Sequence, residues 1–594
     1  MSMWDIPSAY KTVQVEYSSL GGVDLAGDSR GISRRRASRI SNMFRKYDDG
    51  GTFIESRPGY KKAGEFPGKI YGIHFGVSGF APLVHAGTGL YLWSAYPMNP
   101  ADDDLVSLFT LRNARSVSFC FNGRLYILDG AHYICYDGQT VSEVTGFVPT
   151  THIGALPSGG GEKYQAVNLL SDKRKNSFRG NGTDRVFRLD AKNIGDVVSV
   201  KVAGTAVAGF TYNSTAGTVT LPTAPAEPPL GEDNVVIEFE KDVNGDEFIK
   251  GCSLCRVFDN RVFLSGNTDS PCRLIHSALN DPSYFADTDY YDDGGDTRPI
   301  SALAVKDNTL VVLRTSGSGA VFTHEPSLDY ELGRVYPARE GVVTTGCDKK
   351  GCALAFLDDL VYLSNGGLEG ITNTLSEAAG ALHHRSSLID AALCSEDELS
   401  MAQWQGYLCI LAKDRMYLAD SRDIYQSNGS FEYEWYIWDG LGRATCLSVY
   451  NGSLMFGSEE GNIYVFCDEG DDDGRGVTSF WQSRTETAGA SAMRKSVKKG
   501  GCAVLLKKIP NSRVEIWAKA DDRPETKVCE INSGGLDFTN FNFASLSFTT
   551  GDDNLAPVPL YEKVFKTLTL TVKSERPFGL GYLGYNASIV GYIK

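Results

Sequence analysis

The feature that most limits what this chain can fold into is a short pattern that keeps returning. A pair of turn-forming residues is followed by a run of apolar or alternating side chains. It reads Asn122-Gly123-Arg124-Leu125-Tyr126-Ile127-Leu128 and returns as Asp259-Asn260-Arg261-Val262-Phe263-Leu264 and as Asp307-Asn308-Thr309-Leu310-Val311-Val312-Leu313. Further copies are Asp358-Asp359-Leu360-Val361-Tyr362-Leu363, Gln405-Gly406-Tyr407-Leu408-Cys409-Ile410 and Asn451-Gly452-Ser453-Leu454-Met455-Phe456, with a weaker one at Ser78-Gly79-Phe80. With the second turn residue as marker, the copies fall at 79, 123, 260, 308, 359, 406 and 452, spaced by 44, 137, 48, 51, 47 and 46 residues. The one outlier is a single period plus an insertion of about 90 residues. A second strand follows within units, as in Tyr133-Ile134-Cys135-Tyr136 and Asn462-Ile463-Tyr464-Val465-Phe466. A repeat in the forties that carries several strands describes propeller blades rather than a helical solenoid. Each blade buries its apolar faces against its neighbours, and closing the ring removes most free edges. About seven blades are expected. Irregular hairpins spaced by chance are the alternative.

Composition agrees with an all-β chain. Of 594 residues, 11% are aromatic and 64 are glycine, a mixture of strand and turn formers. The chain has 42% apolar and 22% charged residues, as globular domains do. No run approaches the ~20 apolar residues of a membrane span. Met1 to Tyr17, with Trp4, Asp5 and Glu16, lacks the apolar core of a signal peptide. The 13 Cys are an odd number and sit mostly in apolar runs such as Phe119-Cys120-Phe121. That is how a reducing compartment uses Cys, and no disulfide framework is expected.

The repeat divides the chain. Residues 66–150 and 243–470 are assigned to the propeller and 151–242 to an inserted β-sandwich. Residues 471–594 are assigned to a carboxy-terminal, sandwich-like β domain, and 1–65 to an amino-terminal arm. In the insert, Phe178, Gly180-Asn181-Gly182 and Val186-Phe187-Arg188-Leu189 read as a hairpin. Val197 to Val202, Phe210 to Tyr212, Thr218 to Leu221 and Val235 to Phe239 read as further strands. In the tail, Val514 to Trp517, Phe541 to Phe548 and Val564 to Val572 do the same.

Charge is unevenly placed. The chain carries −15, yet Arg30 to Lys62 holds ten Lys/Arg against three Asp/Glu, leaving −22 on the remainder. An acidic bulk does not suit a protein that wraps nucleic acid, although it suits a conduit that repels it. Within the basic stretch, Ser33 is placed to cap a helix running to Tyr47. Ala37, Ile40 and Phe44 lie at helical spacing, and Asp48-Asp49-Gly50-Gly51 ends it. Such a helix suits DNA, a membrane or an acidic partner, and is equally what a solvated face looks like. Docking into an acidic surface of a neighbouring subunit or adaptor is the reading adopted. The candidate interface residues are Arg34, Arg35, Arg36, Arg39, Ile40, Phe44, Arg45 and Lys46.

Catalytic motifs are not found. Cys252-Ser253-Leu254-Cys255 is a lone CxxC without a second ligand pair, and reads as core cysteine. His383-His384 has no HExxH glutamate. Asp242-Val243-Asn244-Gly245-Asp246 places its glycine fourth, where an EF-hand loop needs it sixth. The cluster Asp287, Asp289, Asp292, Asp293 and Asp296 reads as a solvated turn. There is no GxSxG elbow and no phosphate-cradling GxxxxGK[ST]. No enzyme and no cofactor are expected.

Several of these segments, taken together, resemble the tail stabilization (nozzle, or tail-hub) proteins of short-tailed bacteriophages. The opening is Gly21-Gly22-Val23-Asp24, then Asn42-Met43, then Glu55-Ser56-Arg57-Pro58-Gly59-Tyr60. It continues through Asp259 to Asn267 and Ser277-Ala278-Leu279-Asn280-Asp281-Pro282-Ser283-Tyr284-Phe285. It ends with Trp435-Tyr436-Ile437-Trp438-Asp439, Leu454-Met455-Phe456-Gly457 and Gly461-Asn462-Ile463-Tyr464. The resemblance covers most of residues 20 to 470. It implies a propeller protein in a homo-hexameric ring below the portal and adaptor proteins, made in the host cytoplasm and located in the virion tail. There it would meet other tail proteins or fibres, close the packaged head and extend the ejection channel, with DNA passing through unread. A glycan-binding propeller for host recognition is the rival, and its mark would be repeated Trp and Tyr pockets; the seven Trp are not periodic. A phage-borne hydrolase, the third reading, would need carboxylates clustered in a cleft.

Overall fold

The computed structural model describes residues 11–47, 50–93, 105–243, 245–330, 333–341, 343–372, 382–427, 430–509, 512–532 and 555–592. Trp4, Asp5, Asp48, Asp49, Asn244 and the strand expected at Phe541 to Phe548 lie outside these residues.

Seven blades follow one another along the chain: six are four-stranded antiparallel sheets, and the seventh has four antiparallel strands within a six-stranded sheet. Blade 1 is Ile70–His74, Leu83–Ala86, Gly89–Leu92 and Ser107–Thr110, and blade 2 runs from Val117–Phe121 to Val141–Glu143. Blades 3 to 6 begin with Leu254–Phe258, Ile300–Lys306, Ala353–Phe356 and Ser400–Trp404. Blade 7 has Ala444–Tyr450, Ser453–Ser458 and Asn462–Cys467. The first strands of consecutive blades touch, and that of blade 7 touches that of blade 1, so the ring closes on seven. This is a β-propeller.

The repeating pair is the turn between the first and second strands of a blade. Asn122 and Gly123 have φ of 46° and 73°, Asp307 and Asn308 of 49° and 57°, and Asn451 and Gly452 of 49° and 79°. Two consecutive left-handed residues make the type I′ turn that matches strand twist, and Asn, Asp and Gly adopt it at least cost. Blade 1 joins these strands by a longer loop, residues 75–82 with Gly79 inside it, and blade 5 also departs from the pattern. Phe356 pairs with Asp359, so its turn is Leu357-Asp358, one residue earlier than the repeat implies, and Leu357 takes φ 53°.

The fourth strand of blade 7 comes from the other end of the propeller sequence. Gly59–Glu65 lies antiparallel to Asn462–Cys467, with Gly59 opposite Cys467 and Glu65 opposite Asn462. The ring is therefore stapled by hydrogen bonds between segments about 400 residues apart. These residues belong to the propeller rather than to an arm.

Between blades 2 and 3 the chain builds a sandwich. One sheet contains Thr150–Ala155, Lys173–Phe178, Val235–Glu240 and Val197–Val202, and the other Val186–Arg188, Thr218–Thr220 and Thr211–Asn213. The expected hairpin around Gly182 does not form. Lys173–Phe178 pairs with Val235–Glu240 and Val186–Arg188 with Thr218–Thr220, so the turn carries the chain from one sheet to the other. Phe178 and Phe187 then meet edge to face inside, with ring centroids 5.3 Å apart.

A second sandwich closes the molecule, and both chain ends build it. One sheet contains Thr12–Tyr17, Met43–Arg45, Ile54–Ser56, Met493–Leu506 and Gly579–Tyr592. The other contains Arg39–Ser41, Ser479–Gln482, Leu568–Ser574, Arg513–Ala520 and Thr526–Asn532. The helix expected from Ser33 to Tyr47 is not there. Turns lead into two short strands, Arg39–Ser41 and Met43–Arg45, one in each sheet, with Asn42 between them at φ 56°. One hydrophobic core runs from this sandwich (Val514, Leu570, Leu583) into blades 5 and 6 (Phe356, Leu408, Trp438). The inserted sandwich has a core of its own, formed around Phe178, Phe187, Val200 and Ile237. Among the described residues no helix is long and apolar enough to cross a membrane.

Candidate functional site

The basic segment lies in the seam between the propeller and the terminal sandwich, and its partners come from this same chain. Arg34 donates through Nε to Glu486 at 2.8 Å. Arg36 straddles the Glu434 carboxylate, with Nε 3.1 Å from each oxygen and Nη2 2.8 Å from Oε1. Arg35 and Arg45 both pair with Asp423, and Lys46 reaches Asp468 at 3.7 Å. Arg39 lies over the Phe480 ring, 5.6 Å from its centroid. Ile40 and Phe44 are only 4% and 3% exposed, and Phe44 packs against Trp404, Tyr407 and Trp438. The apolar anchors and acidic partners that the sequence pointed to thus exist, but within the subunit. As a helical patch free to dock on a neighbour, the assignment is corrected.

Magnitudes order these contributions. Burying a Phe or Ile side chain contributes about 1.5–3 kcal/mol, whereas an exposed ion pair contributes about 0–1 kcal/mol. Phe44 and Ile40 fasten the segment, and the half-exposed arginines mainly set its register. Arg36 and Glu434 are different, because both are buried and neither can lose the other cheaply.

Segments far apart in sequence converge here. Val23 N–H donates to Trp435 O at 2.8 Å, and a Cβ on Gly22 would stand 2.1 Å from that oxygen, so only glycine fits. Asn42 donates its backbone N–H to Ile437 O, and its Oδ1 accepts from the Asp439 N–H at 2.8 Å and from Arg57 Nε at 2.8 Å. Its Nδ2 reaches Thr478 O at 2.9 Å. The Arg57 guanidinium forks onto Asp472 at 2.8 and 2.5 Å. Gly59 meets Asp471 O, where a Cβ would come within 1.9 Å. Two side chains, Asn42 and Arg57, therefore tie the arm to blade 6, to the strand Asp471–Asp472 beside the one that closes blade 7 and to the entry of the sandwich.

Glu486 shows the electrostatics of the seam. Burial opposes its charge, but the guanidinium groups of Arg34 and Arg484 outweigh burial and hold it down at about 2. Hydrogen bonding to Glu486 raises Arg34 correspondingly.

Elsewhere several reactive side chains are sealed or paired. Burial pushes the Cys252 thiol well up and Cys255 to about 12, so neither is a ready thiolate. The acidic cluster keeps Asp287, Asp292 and Asp296 exposed, as a solvated turn does, but several of its members are paired. Asp292 is forked by Arg273 at 2.8 and 2.9 Å, Asp296 pairs with Arg298 and Arg314, and buried Asp293 meets His324 at 3.0 Å. His384 lies between Asp390 (2.7 Å) and Glu369 (3.1 Å), and these two contacts raise it to about 10. Burial drops His74 to about 3, and both its ring nitrogens face serine hydroxyls. Among the described residues no three His, Cys, Asp or Glu side chains gather as a metal site requires.

One feature had no sequence signal. At one end of the propeller axis lies an open cavity of about 1000 Å³, lined by residues at the head of the first strands of six blades, Ile70, Val117, Leu254, Leu399 and Thr445 among them.

No protein-family model and no curated protein sequence matches the chain. Solved structures to which it is similar include BamB from Moraxella catarrhalis, with 12% identity, 69% of this chain and 99% of that one covered, and a TM-score of 0.32. The computationally designed Ika8 protein aligns at 12% identity over 68% of this chain and 99% of its own, with a TM-score of 0.31. The Neurospora crassa Pan2 WD40 domain aligns at 7% identity over 69% and 95%, with a TM-score of 0.25. Scores this low say nothing about function, and the propeller rests on the seven sheets themselves.

Proposed function

We propose that this chain is a non-enzymatic structural component of a phage tail. As a nozzle or hub ring it would close the portal-adaptor channel, hold packaged DNA in the head and serve as the conduit for its ejection. The observation that carries the reading is the convergence at the seam. Gly22, Asn42, Arg57, Gly59, Trp435 and Asp439 all belong to segments that resemble nozzle proteins, and all meet where arm, propeller and sandwich lock together. Residues held to one identity by close backbone approach and buried ion pairs, rather than by a catalytic cleft, are what a part under mechanical load requires. Propeller blades wedge against each other, and ring symmetry would repeat one heterologous contact around the axis.

With the basic segment consumed inside the subunit, the contact between copies must lie elsewhere on the surface. The rival glycan reading finds little support, because Trp93, Trp404, Trp435, Trp438 and Trp481 are all buried and unavailable as stacking platforms. The test is electron microscopy of particles carrying a tagged copy of the chain. Label at the tail vertex in a closed ring, most simply of six, is expected. Label on the capsid shell or on host membranes, with none at the vertex, would rule the proposal out.

A further inference from the structure

The charges of the axial cavity do not cancel where they stand. Four of its carboxylates are spoken for. Asp129 accepts from the backbone N–H groups of Arg112, Ala131 and His132 at 2.6–2.9 Å. Asp348 accepts from Ser316 and from Asn365 N–H. Asp397 pairs with Lys349 at 3.2 Å and Glu398 with Lys69 at 3.4 Å. On the other side, Arg112, Arg115 and Lys350 make no ion pair with any carboxylate among the described residues. Arg115 spends its donors on Leu399 O and Ser400 Oγ. Arg112 gives Nη1 to Gly130 O at 2.9 Å, and Lys350 gives Nζ to Ser253 Oγ at 2.7 Å. These last two groups are neighbours. A Cβ placed on Gly130 would be 3.0 Å from Arg112 Nη1 and 3.9 Å from the Ser253 Cβ. Both groups are exposed at the mouth, yet the surrounding protein and then the Arg112 charge press the pKa of Lys350 downward.

We propose that this mouth binds a phosphate group, seated between the Arg112 guanidinium and the Lys350 ammonium beside Ser253. A dianion neutralises both cations at once, and a guanidinium fork matches phosphate geometry. Glu247 and Asp269 line the same cavity and disfavour a second anion. The cavity admits a ligand well beyond phosphate itself. The phosphate can belong to a free phosphate compound or to the end of a nucleic-acid strand. This inference does not depend on the tail assignment.

The test measures binding of inorganic phosphate, pyrophosphate, and a short oligonucleotide with and without a 5′ phosphate to the full chain, by phosphorus NMR line broadening and thermal shift. Saturable binding is expected, weakened about tenfold or more by Arg112→Gln or Lys350→Gln, because each removes a charge-assisted hydrogen bond. Lys350→Arg should retain affinity within about threefold. Response to inorganic phosphate identifies a free compound as sufficient, and response only to the 5′-phosphorylated oligonucleotide identifies a strand end; both support the site. Equal binding by wild type and the double glutamine variant would mean an adventitious surface ion only, and no saturable response in the millimolar range would likewise overturn it. Should a variant fail to fold, the wild-type chain decides. Phosphate must shield Lys350 from amine acylation more than Lys192, an exposed lysine of the insert, and equal labelling of the two with and without phosphate overturns the proposal.

Discussion

The two sandwiches differ in how they are joined to the propeller, and the difference separates what the molecule needs from what it carries. The terminal sandwich shares one core with blades 4 to 7, is built from both chain ends, and is crossed by the Arg36–Glu434 and Arg57–Asp472 pairs. The inserted sandwich closes on its own core. It touches the propeller through a narrow stem, where Leu170 enters the core between blades 2 and 3 and the Asn168 side chain donates to Phe147 O and Ser283 O and accepts from Leu170 and Phe285 N–H. Extensive shared apolar burial makes two units unfold as one, whereas a narrow stem lets them melt separately.

Deletion tests that contrast most strongly. Removing residues 479–594 strips the cover from the shared core and should leave no soluble folded protein. Replacing residues 151–239 with a few glycines should leave a folded propeller. Thr150 and Glu240 flank the same strand on opposite sides, offset by two residues and so about 12 Å apart, a gap that such a linker spans. The melting temperature should fall by several degrees, because Leu170 leaves the core between blades 2 and 3. Circular dichroism and size exclusion read both outcomes. A soluble, β-rich truncation without residues 479–594 would break the comparison.

Point changes sharpen it. Arg36→Ala leaves Glu434 buried and unpaired and should cost about 3–5 kcal/mol, lowering the main transition of the whole chain. Phe187→Ala should cost a similar amount, about 3–5 kcal/mol, but only to the insert. Hydrogen exchange would then show protection lost across residues 150–240 alone. Loss of protection in the blades from Phe187→Ala would contradict the independence of that core.

What the sequence made legible follows from which signals are local. The type I′ turns of blades 2, 3, 4, 6 and 7 place Asn, Asp, Gln or Gly at fixed positions, so five of the seven units could be counted from turn chemistry and the other two from spacing. The closing strand Gly59-Tyr60-Lys61-Lys62-Ala63-Gly64-Glu65 carries no such signal, because an outer strand needs only one buried face. The arm misled for a different reason. Ala37, Ile40 and Phe44 fit helical spacing, but Asn42 in a left-handed conformation splits the stretch into two strands that enter different sheets. The hairpin expected at Gly182 failed because proximity in sequence says nothing about which sheet a strand joins. Of the seam, the resemblance named Gly22, Arg57 and Trp435 individually. Their meeting across about 400 residues, and a cavity assembled from the strand heads of six blades, have no sequence pattern.

Acid should loosen the seam before the insert. Glu486 is held at about 2 in the folded chain against an ordinary value of 4.5, so its contribution is fully present above about pH 4.5 and is lost as pH falls toward 2. Glu486→Gln should lower the main transition at pH 7 and approach wild type near pH 2, with exchange rates in the insert unchanged throughout. A Glu486→Gln deficit that is the same at both pH values would remove ionisation as the cause.

The smallest expected effect is on blade 5, on the fused side of the molecule. His384 stands between two acceptors, Nδ1 toward Glu369 Oε1 and Nε2 toward Asp390 Oδ2. An imidazole donating from both nitrogens is an imidazolium. The hydrogen bond to Asp390, then that to Glu369, raises it to about 10, against 6.5 for a free histidine. The sign therefore runs opposite to that of Glu486: the stabilisation is complete below about pH 6.5 and disappears as pH climbs through about 10. The ring is about one-third exposed, so water screens the pair and its contribution is about 1 kcal/mol or less. The adjoining segment is part of the seam, since Leu388 O accepts from Leu25 N–H and Asp390 opens the short helix Asp390–Leu393 that follows. His384→Gln should consequently lower the main transition slightly at pH 6 and converge with wild type by about pH 10, while the insert melts identically in both. A gap that persists at high pH would mean that His384 acts by packing rather than by charge. A shift in the insert would mean that the two sandwiches are coupled after all.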